Sequence, residues 1–90
     1  MNPIRWSDHA LGNLGEREID RSEVDLTLQS PEAVVPGGPA REVYMRRYLD
    51  RMLEQEMLLR VVVEHAESET VVVTAYKTSQ ISRYLKGMRP

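Results

Sequence analysis

The amino-acid sequence predicts an α+β fold in which two short helices precede an antiparallel sheet of three to four strands, with a short C-terminal helix after it. Segments with helix-start signals occupy the first third of the chain, and Val-rich segments with alternating apolar residues occupy the second half. Runs of helices followed by runs of strands are typical of α+β domains. At 90 residues the chain suits one domain with one core, so residues 1–90 are expected to form a single domain.

The first predicted helix runs from Asp8 to about Glu16. Ser7 precedes it and has the short hydroxyl side chain that often caps a helix N-terminus. Gly12 and Gly15 lie inside the helix, and each costs about 1 kcal/mol relative to Ala. The helix therefore depends on packing against the rest of the domain. The side chains expected to face the core are Ala10, Leu11 and Leu14.

The second predicted helix extends from Asp20 to Ser30. Asp20 is a favourable N-cap residue, and Glu23 three positions later completes a capping-box-like pair. Pro31 disfavours the helical conformation in the residue before it, which ends the helix. The side chains expected to face the core are Val24 and Leu28, with Leu26 as a further candidate.

The segments between the N-terminus and residue 57 give weaker strand signals. Ile4–Trp6 could form a brief edge strand, and Glu32–Val35 is a short candidate strand that ends at the Pro- and Gly-rich residues 36–39. Arg41–Tyr48 alternates in polarity and predicts a longer strand. Residues 49–56 allow a helical turn between strands or a continuous helix that begins at Met45, because Met, Leu, Glu and Gln favour helices.

Two Val-rich segments, Leu58–Glu64 and Thr70–Tyr76, predict a β-hairpin at the centre of the core. β-Branched residues suit a pleated, half-buried surface, and the polar residues 65–69 suit a loop between two strands. In the first strand the alternation separates Leu59, Val61 and Val63 from Arg60 and Glu64. In the second strand it separates Val71, Val73 and Ala75 from Thr70, Val72, Thr74 and Tyr76.

A short C-terminal helix is expected at Ser79–Lys86, after the hairpin. Thr78 or Ser79 would cap its N-terminus. Its apolar and aromatic side chains would dock it on the sheet. These are Ile81, Tyr84 and Leu85.

Composition excludes several classes of protein. The absence of Cys removes disulfides, thiolate nucleophiles and thiolate metal sites. No apolar segment approaches the roughly 20 residues of a membrane span, so a cytoplasmic location is expected. The net charge of -2 conceals an acidic first half and a C-terminal end with four basic residues and no acid after Glu69. Such an end could bind a polyanion, although the charge count alone favours a solvated surface of mixed charge.

Candidate functional residues are few, because no established catalytic motif is present. With two His residues and no Cys, no metal site or cofactor is expected. His9 in the first turn of a helix could act as a general base or contact a phosphate, or simply be a polar helix-end residue. Basic and Tyr side chains at the less apolar strand faces and in the C-terminal segment could bind RNA phosphates, or merely cover a half-exposed sheet. They are Arg46, Arg60, Tyr76, Lys77, Arg83 and Tyr84.

A resemblance to a known family rests on the two ends of the chain. His9-Ala10, Glu16-Arg17 and Ile19, followed by a capped helix and Pro31, resemble the pattern HAxxRMxERGI–helix–P. This pattern marks a bacterial domain family of unknown function that is similar to the BrnT and RelE toxins. The Val-rich strands and the segment VVVTAYKTSQISRY resemble the family's closing strand pair and tail. Two residues depart from the pattern, since Asn13 stands where it has Arg and Glu18 stands where it has Gly.

The resemblance implies a RelE-like fold and a metal-independent endoribonuclease that a cognate antitoxin protein neutralises. His9 and Arg17 match the motif itself, whereas the other residues match only the habit of placing basic and aromatic groups on the sheet and tail. The implied catalytic residues are His9, Arg60 and Tyr76. The implied RNA-binding residues are Arg17, Arg46, Arg47, Lys77, Arg83 and Tyr84. A non-catalytic RNA- or protein-binding module, or a homodimer joined through a sheet edge, is the alternative.

Overall fold

The computed structural model of the chain describes residues 3–85. They form a five-stranded sheet with helices on both faces. None of the helices among these residues is long and apolar enough to cross a membrane. In chain order the elements are β1 (Ile4–Trp6), α1 (Asp8–Glu16), α2 (Arg21–Gln29), β2 (Ala33–Pro36), β3 (Arg41–Asp50), β4 (Gln55–His65), β5 (Thr70–Thr78) and α3 (Ile81–Tyr84).

The predicted RelE-like fold is wrong. The sheet has five strands in the order β1-β5-β4-β3-β2, and it is mixed because β1 runs parallel to β5. β1 was expected only as a brief edge strand, and a three-residue strand carries no periodicity that could reveal its partner or its direction. The coarser α+β class remains a correct description of the domain.

Residues 49–56 form neither of the two helical alternatives predicted for them. β3 and β4 pair continuously from Arg41 with Glu64 to Asp50 with Gln55, and only residues 51–54 form the turn. The ladder hydrogen bonds between β3 and β4 therefore override the helix propensity of this segment.

The helix boundaries predicted from the capping residues are confirmed. The Ser7 hydroxyl accepts a hydrogen bond from the Ala10 N–H at 3.0 Å, and α1 ends at Glu16. Asp20 is the N-cap residue of α2, but its side chain makes no capping hydrogen bond. Glu23 does not complete a capping box with it; its carboxylate binds Arg46 instead.

The sheet separates two apolar clusters. Leu59, Val61 and Val63 face α1 and α2, together with Ala10, Ile19, Val24 and Leu28 from the helical layer. The opposite face carries a second cluster that α3 covers, formed by Val43, Met45, Leu58 and Leu85 with Ile81 and Tyr84 packed against it. Leu11 and Leu26, which were expected in the core, are 42% and 48% exposed.

A β-bulge changes the predicted alternation in β5. The pairing shifts between Val62 and Val63, so Val72 pairs with Val63 and Ala75 pairs with Val61. Val72 and Ala75 therefore share the face that packs on the helices, although strict alternation placed them on opposite faces. A bulge inserts one residue and reverses the side-chain parity beyond it.

The predicted C-terminal helix is shorter within the described residues, where α3 covers only Ile81–Tyr84. Its predicted end at Lys86 lies outside the described residues. The predicted docking by apolar and aromatic side chains is confirmed, because Leu85 is 5% exposed and Ile81 and Tyr84 pack on the second cluster.

Candidate functional site

Arg60 is the centre of an aromatic cluster on the α3 face of the sheet, which we call the Arg60 cluster (Arg60, Tyr76 and Tyr84). Arg60 on β4 pairs directly with Tyr76 on β5, so the two side chains project from the same face. The Arg60 Cζ atom lies 4.0 Å from the ring centroid of Tyr84 and 5.3 Å from that of Tyr76. Two cation–π contacts therefore position the guanidinium between two phenols.

The polar contacts of Arg60 leave part of its hydrogen-bonding capacity unused. Its Nη1 donates to the Tyr76 hydroxyl, whereas its Nε is buried and has no hydrogen-bond partner within residues 3–85. No carboxylate in this part of the chain forms an ion pair with Arg60. An arginine without a carboxylate partner retains its charge for an anionic ligand, although the buried Nε is not accessible to that ligand.

Arg83 extends the cluster along α3. Its Cζ atom lies 5.6 Å from the Tyr84 ring centroid, and its Nη1 donates to Gln80 Oε1 at 3.1 Å. Arg83 also has no carboxylate partner among the described residues. Two guanidinium groups and two phenols thus lie close together at one end of the sheet.

Three other candidates for RNA binding are neutralised by carboxylates. Arg46 lies on the helical side and binds Glu23 on α2. Arg47 lies on the α3 side, where its Nη2 is 2.6 Å from Glu32 Oε2. The hydrogen bonds from Arg47 hold the pKa of Glu32 below its ordinary range. Because each cation already has an anionic partner, a phosphate would have to compete with that partner.

Lys77 is the third RNA-binding candidate that a carboxylate neutralises, and it belongs to a buried network with Asp50. Lys77 Nζ donates to Asp50 Oδ2 at 2.7 Å and to the Glu18 carbonyl oxygen at 2.9 Å. Asp50 Oδ2 also accepts from the Tyr48 hydroxyl, and burial raises the pKa of Tyr48. Asp50 Oδ1 accepts the N–H groups of the hairpin turn, which shapes the loop as well as balancing Lys77.

The motif residues His9 and Arg17 are not part of the Arg60 cluster. His9 is exposed on α1, which packs on the opposite face of the sheet. Arg17 Nη1 donates to the Ala75 carbonyl oxygen at 2.9 Å, at the edge of β5. The structure thus brings Arg60, Tyr76, Tyr84 and Arg83 together and leaves His9, Arg17, Arg46 and Lys77 on the helical side.

Asn13 also acts at this edge of β5. β1 pairs only with residues 70–72 of β5, so within residues 3–85 no strand lies beside the backbone groups that follow on this edge. The Asn13 Oδ1 atom accepts hydrogen bonds from the Ala75 N–H at 3.1 Å and from Thr74 Oγ1 at 2.5 Å. Asn13 is 1% exposed. An Arg here could donate hydrogen bonds but could not accept them.

Glu18 occupies a left-handed backbone position with φ of 53°. The Ile19 N–H binds the Leu14 carbonyl and the Glu18 N–H binds the Gly15 carbonyl, which is a Schellman motif at the end of α1. Gly is favoured at this position because it has no Cβ.

A cleft beside the hairpin turn was not predicted from the sequence. It has a volume of about 270 Å³, and α2, the preceding turn and the β3–β4 hairpin form its walls. The only sequence signal for the cleft was Asp50 immediately before a short turn, because an Asp at such a position commonly accepts hydrogen bonds from backbone N–H groups. No three His, Asp or Glu side chains within residues 3–85 are placed to hold a metal ion together. The lining residues are Glu18, Asp20, Ser22, Glu23, Tyr48, Leu49, Asp50, Arg51 and Met52.

Fold and site together define a small α+β domain whose mixed five-stranded sheet carries an arginine packed against two tyrosines, with no carboxylate partner within residues 3–85. The chain belongs to the family "Domain of unknown function (DUF4258)", whose model matches residues 6–77. The match includes Arg60 and Tyr76 and ends before Tyr84 and Arg83. No curated protein and no solved structure matches the chain.

Proposed function

We propose that this protein acts on RNA as a metal-independent endoribonuclease of the toxin type. The observation that carries the proposal is the half-buried Arg60 guanidinium, which packs against two phenols and has no carboxylate partner within residues 3–85. The same proposal includes a similarity of the protein to BrnT and RelE toxins and a cognate antitoxin protein as its partner.

Binding would use charge and stacking together. The guanidinium of Arg60 would contact the scissile phosphate, and Arg83 would contact a neighbouring phosphate. Arg is suited to this contact because its planar donors match two phosphate oxygens. Tyr84, which is partly exposed, would stack on a base of single-stranded RNA.

Cleavage would use the 2′-hydroxyl of RNA as the nucleophile. Its oxygen attacks the phosphorus and gives up its proton to solvent, the bond to the 5′-oxygen breaks, and a 2′,3′-cyclic phosphate forms. The Tyr76 hydroxyl would protonate the departing 5′-oxygen, and its hydrogen bond from Arg60 would stabilise the phenolate that remains. Arg60 would also stabilise the charge that develops on the phosphate. His9 is outside the cluster, so no step is assigned to it.

A second candidate function is RNA binding without cleavage. The acid–base groups in contact with Arg60 favour this second function, because they are the two phenols of Tyr76 and Tyr84. A phenol is an acid rather than a base at neutral pH, so the cluster offers no strong group to deprotonate the 2′-hydroxyl.

One experiment separates the two candidates. The purified protein is incubated with labelled single-stranded RNA in EDTA, and cleavage and binding are measured on the same samples. We expect cleavage by the wild type and a decrease of about 10²–10³-fold for Arg60→Lys, which keeps the charge but loses the planar donors. Arg41→Gln is the matched control because Arg41 is an exposed, ion-paired residue of the neighbouring strand. Circular dichroism verifies that each variant remains folded.

The outcomes are distinct. Salt-sensitive binding without cleavage would support the second candidate. Neither binding nor cleavage at low salt would contradict both candidates. Expression in a bacterium adds an independent readout, because a toxin-type ribonuclease should arrest growth and Arg60→Ala should relieve the arrest.

A further inference from the structure

The tip of the β3–β4 hairpin exposes large apolar side chains. Leu49 is 65% exposed, Met52 is 70% exposed and Leu53 is 47% exposed. All three lie at the turn between β3 and β4, and Leu49 and Met52 line the same cleft; we call this segment the hairpin tip (residues 49–54). Turns are usually polar, and contiguous exposed apolar residues mark sites of interaction. Folding of the domain does not explain this patch, because none of the three side chains belongs to either apolar cluster.

The hairpin tip is held in a fixed conformation. Asp50 is 4% exposed, and its Oδ1 atom accepts the N–H groups of Met52 and Leu53, each at 3.0 Å. Lys77 and Tyr48 hold the other carboxylate oxygen. A buried carboxylate therefore orders the turn that presents Met52 and Leu53 to solvent. Ordering a loop before binding reduces the entropy that a partner's binding must offset.

An acidic cleft lies directly beside the hairpin tip, and Leu49 and Met52 form part of its wall. Its lining carries four carboxylates and one guanidinium, that of Arg51. Glu23 and Asp50 are already paired with basic residues. Within residues 3–85, Glu18 and Asp20 form no ion pair, and both residues are exposed. The cleft thus offers unpaired negative charge next to an apolar surface.

We propose that the hairpin tip and the acidic cleft together bind a basic amphipathic segment of a partner protein. Apolar side chains of the segment would cover Leu49, Met52 and Leu53, and a Lys or Arg would reach into the cleft toward Glu18 and Asp20. The flexible Met52 side chain can adapt to the partner's shape. At about 270 Å³ the cleft is smaller than the roughly 300–1,000 Å³ of small-molecule pockets, and it suits an inserted side chain. Its charge disfavours RNA, so this surface is separate from the Arg60 cluster.

The proposal is tested with a defined probe. A labelled synthetic peptide with Leu and Lys at helical spacing is titrated with the full chain, and binding is measured by fluorescence anisotropy. A matched peptide with Glu at every Lys position is titrated in parallel. We expect binding of the basic peptide only, weakened by salt. Backbone amide shifts should change in Leu49–Leu53 and at Glu18 and Asp20.

Two pairs of variants separate the two parts of the surface. Met52→Ser should weaken binding at least tenfold, whereas Leu26→Ser, at an exposed Leu of α2, should leave it unchanged. Asp20→Asn should weaken binding and reduce its salt dependence, whereas Glu67→Gln, an exposed carboxylate in another turn, should change neither.

Three results would overturn the proposal. The first is equal binding of the two peptides or no binding of either, and the second is an equal effect of Met52→Ser and Leu26→Ser. The third is a dimer in sedimentation experiments that Met52→Ser dissociates and the peptide does not, which would assign the surface to a second copy of this chain. RNA cleavage by the Met52→Ser variant should equal that of the wild type.

Discussion

Asn13 provides the sharpest test of the packing between α1 and the sheet. Its side-chain oxygen takes the place of a neighbouring strand, because it accepts the Ala75 N–H at the edge of β5 that β1 does not reach. The substitution Asn13→Leu preserves the approximate volume of the side chain but removes the acceptor. The Ala75 N–H then remains buried without a partner.

The expected loss of stability follows from these contacts. An unsatisfied buried N–H costs about 1–3 kcal/mol. Thr74 is half-buried, so its hydroxyl can turn toward water and adds less. We therefore expect Asn13→Leu to lower the free energy of unfolding by about 2 kcal/mol. For a domain of 90 residues this corresponds to a decrease in Tm of roughly 8–16 °C.

Urea denaturation followed by circular dichroism measures this change. Glu16→Leu is the matched control, because it introduces Leu at an exposed position of the same helix and should stay within about 0.5 kcal/mol of the wild type. Thr74→Val should cost less than Asn13→Leu because the Ala75 N–H keeps its acceptor. A midpoint for Asn13→Leu equal to that of the wild type would refute the role of Asn13 as a substitute for a strand.

Two further predictions concern Glu18 and Asp50. Glu18→Gly should stabilise the domain by about 1 kcal/mol, since it removes a Cβ from a left-handed position. Glu16→Gly, inside α1, is the control and should destabilise the domain. Destabilisation by both substitutions would contradict the Schellman motif. The hydrogen bonds from Lys77 and from the Leu53 N–H hold the pKa of Asp50 below its ordinary value. The ionised Asp50 carboxylate therefore contributes its full stabilisation above the pKa that Asp has in the unfolded chain, about 4. This stabilisation is lost as the pH falls through the lower pKa of Asp50 in the folded state. Asp50→Asn should be less stable than the wild type at pH 7, and the difference should shrink only below about pH 4. Urea titrations from pH 7 to 2 measure it, and a difference that shrinks between pH 7 and 5 would exclude Asp50 as its source.

The candidate site was only partly predictable from the sequence. Strand alternation placed Arg60 on the polar face of β4, and the structure does bring it together with Tyr76. The same alternation could not show that Arg46 meets Glu23 from α2, because side chains that meet between layers are distant in sequence. It also could not predict the bulge in β5, which reverses the parity of Val72 relative to Ala75.

The sequence by itself determined the local features of this protein. Ser7 begins α1, Asp20 marks the start of α2, and the Val-rich segments form the central hairpin, because capping and strand propensity depend on neighbouring residues. Tertiary structure alone decided the parallel pairing of β1 with β5, the strand conformation of residues 49–56 and the distribution of the basic side chains. Each of these depends on contacts between segments far apart in the chain, which stabilise the fold only when the whole sheet has formed.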